Sequence, residues 1–173
     1  MFYPMKKIKL FIILAFLMAM AGGCKIKYSF TGASISPLVK TYTVYDFPNR
    51  ARLINPTLSD YFSEQLRDKF TRQTSLGYAN DGGDLEFEGT ITGYDIKPIS
   101  VRGNDVAAEN RLTVTIKVKF TNNKDPENDF DMDFSAYADF SSELMISDVE
   151  DGLVEQIIKQ IVDDIFNKSV ANW

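Results

Sequence analysis

The chain has 173 residues, with 19 Lys and Arg against 24 Asp and Glu, no histidine and a single cysteine. That inventory excludes Ser-His-Asp and Cys-His nucleophile systems, histidine metal centres and dithiol redox chemistry. A net charge of −5 also lacks the basic footprint that nucleic-acid phosphates demand.

At the amino terminus Lys6, Lys7 and Lys9 precede an unbroken apolar run from Leu10 to Met20, and Ala21-Gly22-Gly23 leads into Cys24. The run fits a signal-peptide core of roughly 7–15 residues, whereas a membrane span needs about 20. Met5, before Lys6 and Lys7, reads as an alternative start. Cys24 reads as the lipid-modified first residue of a mature bacterial lipoprotein, its thiol carrying a diacylglyceryl group and its amino group a further acyl chain. Each buried CH₂ contributes about 0.8 kcal/mol, and durable anchoring takes more than one chain. An ordinary secretory signal with an incidental cysteine is the competing reading. Removing residues 1–23 leaves sixteen basic against twenty-four acidic residues, a net charge of −8. The remaining length suits one domain with its own core.

Residues 24–40 read as a lipidated tether containing Gly32, Ser34, Ser36 and Pro37, with a reach of at most about 50 Å. Tyr28 and Phe30 are large for a linker and are candidates to dock on the domain. No aspartate follows Cys24, which argues for the outer membrane. No acidic run follows it either, which argues for the periplasmic face.

Residues 41–173 read as a single α+β domain. Thr41 to Phe47 is β-branched and aromatic and ends at Pro48-Asn49, a first strand. Asn55-Pro56 predicts a helix start with asparagine as cap. Leu58, Phe62, Leu66 and Phe70, joined by Tyr61, form its apolar stripe. Glu64 with Arg67 and Asp68 with Arg72 are spaced to pair on its exposed face, and Gly77 is the expected stop. After Asn80-Asp81-Gly82-Gly83 the period becomes two. Leu85, Phe87 and Ile91 share a face, Tyr94 and Ile96 have the opposite parity, and Gly93 therefore predicts a β-bulge.

Leu112, Val114, Ile116, Val118 and Phe120 alternate with polar residues. Phe130, Met132, Phe134, Ala138 and Phe140 repeat the pattern after a turn at Asn122–Asn128. Pairing the two about that turn sets Lys117 opposite Asp133 and Lys119 opposite Asp131, with the apolar sets sharing the other face. Ser147 with Glu150 predicts a capping box. Val149, Leu153, Ile157, Ile161 and Ile165, with Val154, Ile158, Val162 and Phe166, give the last helix a wide apolar band. The order β-α-β-β-β-α predicts a two-layer sandwich, two helices on one face of a four-stranded, mostly antiparallel sheet.

Asp125, Glu127, Asp129, Asp131 and Asp133 alternate, but Phe130 stands where a calcium loop needs glycine, so they read as a polar turn running into a solvated strand face. The predicted topology gathers loops 48–56, 97–111 and 141–148 at one end, with Arg50, Arg52, Lys97, Arg102 and Arg111. Both helix N-termini lie there too, a setting that favours anions. Asp105, Glu109, Glu143, Asp148 and Glu150 share that end, so a mixed loop surface without a ligand is the competing reading.

The stretches YSFTG at 28–32, FPNRARLINPTLSDYFSEQLRDKF at 47–70, GDLEFEGTITGYDIKP at 83–98, NRLTVTIKVKFTNNKDP at 110–126 and IFNKSVANW at 165–173 together resemble the LptE-like lipopolysaccharide-assembly lipoproteins, in the form found in Bacteroides-type bacteria. The resemblance implies a lipid-anchored plug and assembly factor inside an LptD-like outer-membrane β-barrel. It also implies assistance to lipopolysaccharide insertion, with no catalysis and no cofactor. Direct lipopolysaccharide contact would involve Arg50, Arg52, Lys97, Arg102 and Arg111. An auxiliary lipoprotein of another envelope transport complex, and a periplasmic ligand binder or carboxylate-only hydrolase, stay open. A pocket between helices and sheet would favour the ligand binder.

Overall fold

Alternation of apolar and polar residues drives three long strands to bury one face, and two one-sided helices supply the cover. The computed structural model describes residues 35–53, 55–99 and 109–170; Cys24, Arg102 and Asp105 lie outside them. The elements are β1 (Thr41–Val44), α1 (Leu58–Gln73), β2 (Gly77–Tyr78), β3 (Leu85–Ile99), β4 (Glu109–Asn122), β5 (Phe130–Ser141) and α2 (Ile146–Val170). They form one sheet in the order β2-β1-β3-β4-β5, with β1 parallel to both neighbours and the rest antiparallel.

The α+β architecture is as the sequence predicts, with a fifth strand in place of four. Gly77, expected to stop the helix, instead starts β2 and pairs with Thr41. The helix ends earlier, at Thr74, whose backbone N–H and hydroxyl both donate to Phe70 O, at 3.0 and 2.7 Å. Its start also differs. Asn55 Oδ1 accepts from the N–H and the hydroxyl of Thr57, at 3.1 and 2.9 Å, and closes a turn one step before the helix, whose cap position is Thr57. Asp68 and Arg72 pair at 2.5 Å as spaced, whereas Arg67 leaves Glu64 and reaches Asp46 at 3.1 Å.

The β4–β5 register sets Lys117 opposite Asp133 and Lys119 opposite Asp131, as the alternation requires. The ion pairs themselves run otherwise. Lys117 reaches diagonally to Asp131 at 3.4 Å, and Lys119 turns to Glu88 of β3 at 2.6 Å. The β3–β4 register slips between Ile91 and Gly93, the predicted bulge. A Cβ on Gly89 would sit 2.0 Å from Lys117 O and 2.7 Å from the Phe47 ring, so only glycine admits that ring against the strand.

Leu58, Phe62, Leu66 and Phe70 of α1 are fully buried, as are Ile157, Ile158, Ile161 and Ile165 of α2, against Phe87, Ile91, Leu112, Val114, Ile116 and Val118. Phe70 lies at the centre of an aromatic group, its ring 5.3 Å from Tyr42, 4.9 Å from Phe87 and 5.1 Å from Phe166. Val39 is buried and Ile35 packs beside the core, so ordered packing begins ahead of β1. No helix among the described residues is long and apolar enough to cross a membrane.

Candidate functional site

β1 and β3 run parallel and both end towards the starts of α1 and α2, so the topology collects the loops at one end of the sheet, as predicted. The chain enters at the other end. There Asp84 accepts from the N–H groups of Lys40 and Thr41, at 2.7 and 3.1 Å, and pairs with Lys124 at 2.9 Å. The Lys124 ammonium, then the Lys40 N–H, hold this carboxyl down to about 2.

The loop end is stepped. The Arg50 N–H donates to Ile91 O at 2.9 Å, which fixes the 48–56 loop at the level of Ile91. Lys97 lies six positions further along β3, roughly 15–20 Å at the usual rise per residue. The β3–β4 hairpin thus overruns the loop, and the structure does not gather the predicted cations at one point. Lys97 and Arg111 are register partners on the solvent face, like charges side by side. Arg111 is held by Asp139 through two hydrogen bonds, at 2.7 and 2.8 Å, and lies 3.6 Å over the Tyr137 ring. The Asp139 carboxylate raises the guanidinium pKa, and the guanidinium lowers that of Asp139. Arg50, Arg52 and Lys97 are exposed and make no ion pair among the described residues. They are the free cations of this end, while Arg102 lies outside the described residues.

Glu150 does not cap its own helix with Ser147 in the way the spacing predicts. It accepts instead from Asn55 Nδ2 at 3.0 Å and from the Tyr94 hydroxyl, tying loop, strand and helix together. Ser147 turns to Asp148 at 3.2 Å. Burial first, then the bond to Glu150, pushes the Tyr94 phenol well above its ordinary value.

Around this tie stand apolar side chains that periodicity does not flag. Leu53 lies two residues from Asn55, and Leu144 and Met145 precede α2. All three are exposed, Met145 at 70 %. The only signal in the sequence was their setting, large apolar residues between arginines and serines in loops. Exposed apolar groups beside unpaired cations suit an amphiphile bearing acyl chains and anionic groups.

The acidic run after β4 has other duties. Asp129 accepts the Asn122 N–H at 2.7 Å and Asp125 accepts from Asn128 at 2.6 Å, shaping the turn. Between helices and sheet the layer is filled by the buried side chains named above. A cleft of about 240 Å³ opens outward between α1 and α2, lined by Tyr61, Asp68, Lys69, Arg72, Glu155 and Asp163. Lys69 and Asp163 bridge it at 2.6 Å.

A family model described as LptE, lipopolysaccharide-assembly, matches residues 39–169. Among solved structures, a minor lipoprotein from Acinetobacter baumannii is similar at TM-score 0.50 and 14 % identity, over 76 % of this chain and 92 % of that one. An uncharacterized lipoprotein B from Nitrosomonas europaea is similar at 0.53 and 13 %, over 83 % and 88 %. The rare lipoprotein B from Shewanella oneidensis is similar at 0.50 and 5 %, over 75 % and 90 %. At these identities the structures share the fold. No curated protein matches the chain in sequence.

Proposed function

Since the chain belongs to the LptE family of lipopolysaccharide-assembly proteins, we propose that it is the lipid-anchored partner of an LptD-like outer-membrane β-barrel, serving as plug and assembly factor without catalysis. The observation that carries this is the family match across both helices and all five strands. Residues 1–23 would be the signal peptide, Cys24 the acylated anchor and the following segment a tether, placing the domain on the periplasmic side of the outer membrane.

The architecture suits the role. Among the described residues no helix covers the outer face of the sheet, which carries rows of opposed charge and hydroxyl, Glu88–Lys119–Asp131 and Thr90–Lys117–Asp133 across β3, β4 and β5. Such rows can satisfy polar lumen walls through many hydrogen bonds. The entry end and the far end of the β3–β4 pair are separated by strands about 45 Å long, with the 48–56 loop stepped back to the level of Ile91, so an anchored terminus leaves the far end free to reach away from its leaflet. Arg50, Arg52 and Lys97, with Arg102, would meet lipopolysaccharide phosphates and carboxylates there, and Leu53, Leu144 and Met145 its acyl chains. Arg111 is already neutralised by Asp139 and would contribute little. The filled helix–sheet layer counts against a ligand binder.

Purification from outer membranes after mild crosslinking tests the reading. A large β-barrel should copurify one to one, its folded amount should fall when this protein is depleted, and intact mass should show acyl chains on Cys24. Unchanged barrel levels with no copurifying barrel would contradict it.

A further inference from the structure

The two edges of the sheet are finished differently. At one edge β2 is two residues long. At the other, β5 runs twelve residues and pairs only with β4 among the described strands. An edge strand offers a row of unpaired N–H and C=O groups, and folds usually blunt it with brevity, proline, lysine or a bulge. β5 contains no proline, glycine or lysine, and its register with β4 runs unbroken from Phe120↔Phe130 to Glu109↔Ser141.

What β5 presents is aspartate. Asp131, Asp133 and Asp139 are exposed on its solvent face. Arg111 takes Asp139 and Lys117 takes Asp131, while Asp133 has no ion pair among the described residues. On the other face stand Phe130, Met132, Phe134, Ala136, Ala138 and Phe140, and Met132 is 42 % exposed. Two copies of β5 joined across a two-fold would place Asp131 against Asp139, or Asp133 against Asp139, in the centred registers, and like charges directly opposite are destabilising. A strand of the opposite pattern is favoured. β4 shows the side chains that β5 accepts, with Arg111, Lys117 and Lys119 alternating with Leu112, Ile116 and Phe120.

We propose that the outer edge of β5 is a docking site for an extended strand of a partner protein, one that alternates basic with apolar residues and continues the sheet. Its basic residues face Asp133 and its neighbours. Its apolar residues cover Met132 and lie over the small Ala136 and Ala138. Main-chain bonds provide affinity and the alternation provides selectivity. The inference does not depend on the barrel reading.

A synthetic peptide with the sequence of residues 111–120, and a second with its three basic residues changed to glutamate, test it against the full chain in detergent. Fluorescence anisotropy should show saturable binding of the basic peptide and at least tenfold weaker binding of the acidic one. Amide exchange should slow in residues 130–141. Asp133→Asn, which leaves no like-charge pair with Lys117, should weaken the basic peptide and narrow its advantage over the acidic one with little change in the melting temperature. Equal binding of both peptides, protection elsewhere than β5, or self-association of the chain through β5 would overturn the proposal.

Discussion

At the end where the chain enters, most of the charges and hydroxyls close the fold, although Lys40 makes no ion pair among the described residues and Leu38 is 69 % exposed. Asp84 takes two backbone N–H groups and Lys124. The buried Thr43 hydroxyl donates to Ala79 O at 2.9 Å and accepts the Gly83 N–H at 3.0 Å. Asn123 holds Gly83 O at 2.9 Å. At the loop end the backbone is also tied, through Asn49, Asn55, Tyr94 and Glu150. There, among the described residues, Arg50, Arg52 and Lys97 make no ion pair, and Leu53, Leu144 and Met145 are exposed. One end uses its polar groups to close the fold, and the other holds them out. Substitutions should therefore cost stability at the first end and binding at the second.

The largest expected loss of stability is at the entry-end core. Phe70→Ala removes a fully buried ring that touches Tyr42, Phe87 and Phe166 and should cost about 3–5 kcal/mol in denaturant unfolding. A cost like that of an exposed substitution would show that the aromatic group does not organise this end.

Asp84→Asn comes next, and its effect depends on pH. The folded carboxyl is held down to about 2 by Lys124 and the Lys40 N–H. The stability it adds is therefore complete above its unfolded value of about 4 and drains as pH falls from about 4 towards 2. The variant should melt below the parent at pH 6, and the gap should shrink to a small fraction of that by pH 2. A gap as wide at pH 2 as at pH 6 would mean that the carboxylate charge is not what matters.

Tyr94→Phe probes one of the ties by which the loop end serves the fold. It should cost about 1 kcal/mol, the usual worth of such a hydrogen bond. The phenol's ionisation is pushed upward in the fold. The stability it adds is thus present below its unfolded value of about 10 and lost as pH rises beyond it. The parent should lose stability more steeply than the variant above pH 10.

How much of this was readable depended on whether a pattern repeated. Strict alternation along 112–120 and 130–140 fixed the β4–β5 register, because a one-residue slip would have exposed every apolar side chain. The parity change around Gly93 marked the bulge for the same reason. β2 could not be read, since two residues carry no period. The capping box failed because Tyr94 and Asn55, distant in sequence, outcompeted Ser147 for Glu150. For the candidate site, connectivity places the loops at one end of the sheet but does not tell how far the β3–β4 hairpin overruns the 48–56 loop, so Arg50 and Lys97 lie further apart than topology alone predicts. Charge counting likewise did not show that Asp139 occupies Arg111, whereas Arg50 and Arg52 are exposed as a loop reading implies.

The smallest effect on folding, and the sharpest on binding, is expected of Arg50→Glu with Arg52→Glu. Exposed and unpaired, these residues should change stability by no more than about 0.5 kcal/mol. Lipopolysaccharide binding should weaken strongly at low salt, and the difference from the parent should shrink as salt rises. Equal binding at low salt would assign these arginines to the barrel or to solvent.

The most direct test of the contrast between the ends is photo-crosslinking in living cells, with the reactive group placed at Leu53, at Met145 or at Asp125 of the entry-end turn. Adducts with lipopolysaccharide should form from Leu53 and Met145 and be absent from Asp125, with the barrel captured in the same preparations. Lipopolysaccharide adducts from Asp125 alone, or equally from all three positions, would contradict the assignment of the loop end as the working end.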